Sequence, residues 1–178
     1  MGKEIFSVKN LLALGLIILA ITLRFLPHLP NFAPITALAL FAGVYFRGYW
    51  AYLLPLLAMI ISDIFLGFHS TMFFVYFSLL LTVGIGALAR SRKNPATVIA
   101  GTLLGSILFF VITNFGVWLT TSWYSPGIDG LIKCYYMALP FFRNSLTGDL
   151  FYAIILFGAY ETASFMIKKH TKEALWQR

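Results

Sequence analysis

Ten residues of this chain have the most to offer a small solute: Arg24, Asn31, Asp63, His69, Asn114, Trp118, Tyr124, Tyr135, Arg143 and Asn144. They bring a carboxylate, guanidinium groups, an imidazole, amides and aromatic rings into a chain that is otherwise mostly apolar. Polar groups of this kind are costly inside a membrane, and they face a cavity or one another. The chemistry they fit is recognition. HExxH, CxxC, GxSxG and the phosphate-binding lysine loop are all missing. The acids form no close pair that would hold a metal for hydrolysis, so neither a metal nor another cofactor is expected. Each residue also has a structural reading. Asp63 would pair with Arg24 or Arg143, Asn114 would bond a neighbouring helix, and Trp118, Tyr124 and Tyr135 would form an interfacial aromatic belt. His28 and His69 would sit at an interface, and the lone Cys134 would be a small buried hydrophobe.

The elements that carry these residues follow from composition. The 178 residues are 60% hydrophobic, 17% aromatic and only 11% charged, with mean hydropathy +0.87. Soluble domains average about 25% charged residues. A water-soluble fold of this size cannot hide so much apolar surface, so the expected class is an all-α membrane protein in a single transmembrane domain, 1–178. The net charge of +7 does not point to nucleic acid. Its basic residues gather at span ends and are not interleaved with aromatics on one face.

Six spans are predicted, over about 10–25, 33–46, 49–68, 71–89, 97–120 and 148–167. The first is an uncleaved span, because Arg24 closes the apolar run without a small-residue cleavage site. Pro27 and Pro30 stop it. Pro34 opens the second, where a missing N–H does no harm. The second span carries the small-residue pairs Ala33/Ala37 and Ala39/Gly43, and the fifth carries Gly101 and Gly105; such spacings let helices approach closely in lipid. Internal packing is the first reading of the span 2 face, and a partner protein the second. Asp149 suits the N-terminus of the last span. Between spans 5 and 6, residues 131–142 are too short to cross, and Pro140 breaks them, so a re-entrant or interfacial segment is expected.

With six spans, one side receives Lys3, Lys9, Arg47, Arg90, Arg92, Lys93, Lys168, Lys169, Lys172 and Arg178. The other receives Arg24, Lys133 and Arg143. This asymmetry places both termini in the cytoplasm of a cell whose inner membrane holds the protein. The candidate solute residues then fall on the outer side, under loops 24–33 and 121–147.

The Pro-rich first outer loop running into PNFAPITALALFAGVYF, with six spans in so short a chain, resembles the substrate-binding S component of energy-coupling-factor vitamin transporters. The segments PNFAPITALALF, ITNFGVWL, CYYMALPFF and GDLFY also look like a bacterial group of six-span membrane proteins, a resemblance that implies no activity. The first resemblance implies capture of a small vitamin-like solute from outside by loops 1, 3 and 5. Movement in the bilayer would then be driven through an energising membrane subunit with separate ATPases. It also implies that aromatic walls hold a flat ring while Arg143 and Asn114 read a carboxylate or amide. Docking in that family uses an Ala-xxx-Ala face on span 1, whereas here Ala13, Gly15 and Ala20 stand at other spacings. The competing classes are a structural or accessory subunit of a membrane complex, an intramembrane enzyme built from Asp63, His69 and Asp149, and a self-powered carrier.

Overall fold

The computed structural model describes residues 8–25 and 30–176. The described residues form six helices and no strand: α1 (Val8–Arg24), α2 (Ile35–Tyr45), α3 (Trp50–Leu66), α4 (Met72–Ala89), α5 (Pro95–Thr120) and α6 (Ile128–Trp176). Three of them, α4, α5 and the Ile128–Lys169 part of α6, are long and apolar enough to cross a membrane. Most of their surface points outward, with large apolar side chains such as Phe73, Leu88, Ile99, Leu104, Ile132 and Ile154 exposed. An all-helical chain that turns such side chains outward on its longest helices is a membrane protein, because lipid leaves every backbone group to be satisfied within the helix.

The bundle is built around α2. Every residue from Thr36 to Val44 is buried, the pattern of a helix surrounded on all sides. It packs most heavily on α4, then on α3 and α6, with α5 closing the ring. Small residues make the α2–α4 contact possible. A Cβ at Gly43 would stand 2.2 Å from the Val83 carbonyl oxygen and 2.9 Å from Gly86 Cα, and one at Gly86 would stand 2.4 Å from the Leu40 carbonyl. The Gly101/Gly105 face of α5 likewise rests on Leu40, Thr36 and Thr82. The small-residue face of α2 is thus a packing surface inside the bundle, which leaves it no room to dock a partner.

With 11 residues, α2 is only about 17 Å long. Its neighbour α5, with 26 residues, runs about 39 Å. A short helix ringed by longer ones leaves unfilled space beyond its end, and that space lies over the α2 N-terminus. Both ends of α2 are held from other helices. At the C-terminal end, Arg90, the residue that follows α4, donates through Nη2 to the carbonyl of Gly43, 2.7 Å away, and to that of Phe46. A cation there complements the helix dipole as well as the open carbonyls. At the N-terminal end Pro34 supplies no side-chain cap, and the cap comes from α6, as set out below.

The segment expected to be re-entrant is instead the first half of α6. One helix runs from Ile128 to Trp176 with Pro140 inside it. A proline removes one backbone bond from a helix, yet in lipid neighbouring helices and nearby side chains make this tolerable. Asp149 consequently stands in the middle of a helix, not at its start. Three buried hydroxyls are satisfied by bonding back to their own helices: Ser62 to Ala58, Ser78 to Phe74 and Thr82 to Ser78.

Candidate functional site

A cavity of about 650 Å³ occupies the space over the α2 N-terminus. Its size falls in the range of small-molecule sites. Two helical stripes make its long walls. On α5 the stripe is Ser106, Phe109, Phe110, Thr113, Asn114 and Val117; on α6 it is Cys134, Ala138, Phe141, Phe142, Ser145 and Asp149. Both repeat every three or four residues, the spacing that keeps side chains on one helical face. Pro30, Asn31, Ala33, Ile35 and Thr36 form the side where the chain enters α2, while Met59, Leu66, His69 and Val75 close the opposite side. Trp123 and Tyr124, from the α5–α6 loop, stand at the mouth.

At the floor, Asp149 is 2% exposed. Its carboxyl group accepts from the backbone N–H groups of Thr36 and Ala37 and from the Thr36 hydroxyl. The Ser106 hydroxyl lies 2.7 Å from its Oδ2 and 2.9 Å from the Thr102 carbonyl, so its one proton serves either acceptor. Thr36 and Ala37 are the second and third residues of α2, whose N–H groups have no partner within the helix. Asp149 is therefore the N-cap of α2, delivered from α6. The floor of the cavity is a structural joint whose acceptors are already engaged.

The structure divides the ten sequence-derived candidates. Asn31, His69, Asn114 and Tyr124 line the cavity. Asn31 holds a left-handed backbone, φ 61°, a conformation asparagine adopts more readily than most residues. The ring of His69 bonds through Nδ1 to the Thr71 hydroxyl at 2.8 Å. Asn114 donates its amide Nδ2 to the Phe110 carbonyl at 2.8 Å, and its own carbonyl lies 3.4 Å from Cys134 Sγ. Cys134 is buried at 1% exposure and forms part of the wall.

Five others lie outside the lining. Asp63 is 1% exposed and accepts from the Tyr76 hydroxyl at 2.8 Å. It sits between Met59 and Leu66, which do reach the cavity, but it forms part of the packing between α3 and α4. Trp118 donates Nε1 to the Ser125 carbonyl and so braces the α5–α6 loop. Tyr135 donates to the Val111 carbonyl at 2.6 Å and ties α6 to α5. Asn144 donates to the Pro30 carbonyl at 3.2 Å and pins the first loop onto α6. Arg143 is exposed on α6, away from the lining, so it does not combine with Asn114 in reading a carboxylate. His28 and the side chain of Arg24 lie outside the described residues. Of the three residues considered for an enzyme, His69 and Asp149 reach the cavity and Asp63 does not.

Sequence reasoning missed Thr36, Ser106, Phe109, Phe110, Thr113, Phe141, Phe142 and Ser145 as wall residues. Apart from Thr36, which belongs to α2, their signal was present as the two three-and-four stripes on α5 and α6. The opposite end of the bundle is chemically different. There Tyr45 donates to Glu161 at 2.6 Å, its ring lies 4.0 Å from that of Tyr160, and Lys93 Nζ stands 5.0 Å over the Tyr45 ring. Such a cation above an aromatic face is attractive.

No curated protein and no solved structure matches the chain. Over residues 5–173 it matches the family described as a family of unknown function (DUF6580), and the chain belongs to that family.

Proposed function

We propose that this protein captures a small, vitamin-like solute from outside the cell, in the manner of an energy-coupling-factor S component. In this reading all six helices lie in the inner membrane and both termini are cytoplasmic. An energising membrane subunit with its own ATPases drives release inward. The observation that carries the reading is the cavity itself, about 650 Å³ with walls rich in aromatic side chains. It gathers the α2 N-terminus, the α3 C-terminus, the α4 N-terminus and the α5 C-terminus at one end of the bundle. Arg47, Arg90, Arg92, Lys93 and Lys168 belong to the other ends of these helices and of α6, and basic residues mark the cytoplasmic side. The cavity therefore opens outward in this reading, with Asn31, His69, Asn114 and Tyr124 in contact with the solute.

Ligand-induced stabilisation of the purified protein tests the proposal. A ligand at a hundredfold excess over its Kd adds about 2.7 kcal/mol, worth a rise in unfolding midpoint of about 5–10 °C for a chain of this length. Across a panel of vitamins and their precursors, at least one compound raises the midpoint of the wild type and leaves Ala138→Trp unmoved. Ala138 lies midway along the α6 wall, so a tryptophan there obstructs the cavity. A panel in which no compound moves the wild type, or in which both proteins shift alike, contradicts capture in this cavity.

A further inference from the structure

The polar groups of the cavity carry more than its shape does. The Thr113 hydroxyl lies 2.7 Å from the Phe109 carbonyl, and that of Ser145 lies 3.1 Å from the Phe141 carbonyl. The hydroxyls of Ser106 and Thr36 are engaged at the floor with Asp149 or, for Ser106, the Thr102 carbonyl. A hydroxyl has one proton and two lone pairs. Once its proton is committed to the protein, it can only accept from a ligand. Asn114 commits one of its two amide N–H groups to the Phe110 carbonyl, which leaves its Oδ1 as a further acceptor and its second N–H as a single neutral donor in the depth. The other groups able to donate, on Asn31, His69, Trp123 and Tyr124, stand near the mouth, where Trp123 is 76% exposed. Among the described residues, no lysine or arginine lines the cavity. Phosphate and carboxylate recognition relies on such cations or on free backbone N–H groups, and the free N–H groups of α2 already belong to Asp149.

We infer that the depth of the cavity selects a non-anionic, ring-bearing molecule that presents N–H or O–H donors, and that it discriminates against the phosphorylated or carboxylated form of the same ring. The inference rests on the capture reading above. The four phenylalanines of the α5 and α6 walls take the ring, while the acceptors of Thr113, Ser145 and Asn114 take its donors. An anionic group in the same place would be desolvated against oxygen lone pairs with one neutral amide N–H, that of Asn114, to answer it, and that is strongly unfavourable.

Calorimetric titration of the purified full-length protein with matched probes tests this. The pairs are pyridoxine and pyridoxine 5′-phosphate, riboflavin and its 5′-phosphate, and nicotinamide and nicotinate. In at least one pair the uncharged member binds, and the anionic member binds at least ten times more weakly. The isosteric Thr113→Val variant removes one acceptor without disturbing the fold and weakens the uncharged member about threefold to tenfold. An anionic member that binds as tightly as its uncharged partner, or more tightly, overturns the charge selection and leaves capture standing. Unchanged affinity in Thr113→Val overturns the role given to the acceptors. If no member of any pair binds a protein that still unfolds cooperatively, capture itself fails, and the selection with it.

Discussion

Asp149→Ala destabilises the protein by about 3–5 kcal/mol, the cost of removing one partner from a buried polar joint. Removal leaves the N–H groups of Thr36 and Ala37 and the hydroxyl of Thr36 without the acceptor they share, in a site where Asp149 is 2% exposed. Pro34 offers no alternative cap. Because α2 is the centre of the bundle, the loss affects every helix packed on it. For a chain of this length the thermal unfolding midpoint falls by about 10 °C or more. Asp149→Asn keeps the shape and one acceptor oxygen, and recovers roughly half of the loss. Intrinsic-fluorescence melting of the purified variants measures both. A midpoint for Asp149→Ala within about 2 °C of wild type would show that the carboxyl group does not hold α2.

Gly43→Ala is the second large effect. The added Cβ would lie 2.2 Å from the Val83 carbonyl oxygen, 2.9 Å from Gly86 Cα and 3.0 Å from the Ala87 nitrogen. All three are backbone atoms, so no side chain can swing aside and α2 must move away from α4. Overpacking of this kind costs about 1–3 kcal/mol or more. The close contacts of α2 with α5 and α6 leave little room for that movement, so the upper end of the range is expected. Gly86→Ala meets the same crossing from the other side, 2.4 Å from the Leu40 carbonyl, and destabilises similarly. The two are not additive, since one displacement relieves both. Gly84→Ala is the control. Nothing lies within 4 Å of its Cβ, and replacing glycine inside a helix is neutral or stabilising by up to about 1 kcal/mol. Melting curves that rank Gly84→Ala with Gly43→Ala would remove the close crossing as a cause.

The helices were legible because lipid imposes simple rules. Apolar runs bounded by basic residues and prolines placed α4 and α5 to within about two residues, at 71–89 and 97–120 against Met72–Ala89 and Pro95–Thr120. Asn94 before Pro95 completes that boundary, since its Oδ1 accepts from the Thr97 N–H at 2.8 Å. The continuity of α6 was not legible. Proline and a short apolar run read as a break in water, but a helix packed among helices keeps going through Pro140. That one difference moved Asp149 from a helix start to a mid-helix position. Its actual role, capping a helix more than a hundred residues earlier in the chain, needs α2 and α6 side by side, and local pattern does not contain that adjacency.

The cavity was half legible. Choosing residues by chemical type found Asn31, His69, Asn114 and Tyr124, and it also drew in Trp118, Tyr135, Arg143 and Asn144, whose side chains brace loops and helices or point elsewhere. Direction on the helix separates the two groups. Cys134, Ala138, Phe142, Ser145 and Asp149 follow one another at three- and four-residue steps along a single face of α6, and Tyr135 and Arg143 fall off that face. Asp63 was drawn to the site by its charge, yet Tyr76 holds it within the α3–α4 packing.

The most direct measurement is mass spectrometry of small molecules released from protein purified without added ligand, comparing wild type with Ala138→Trp. The variant obstructs the middle of the cavity and leaves the α2 caps and the α2–α4 crossing intact. A compound is released from the wild type in near-stoichiometric amount and is absent from the variant if the cavity captures a solute. An empty wild type, or the same compound released in equal amount from both proteins, would contradict capture in the space over α2.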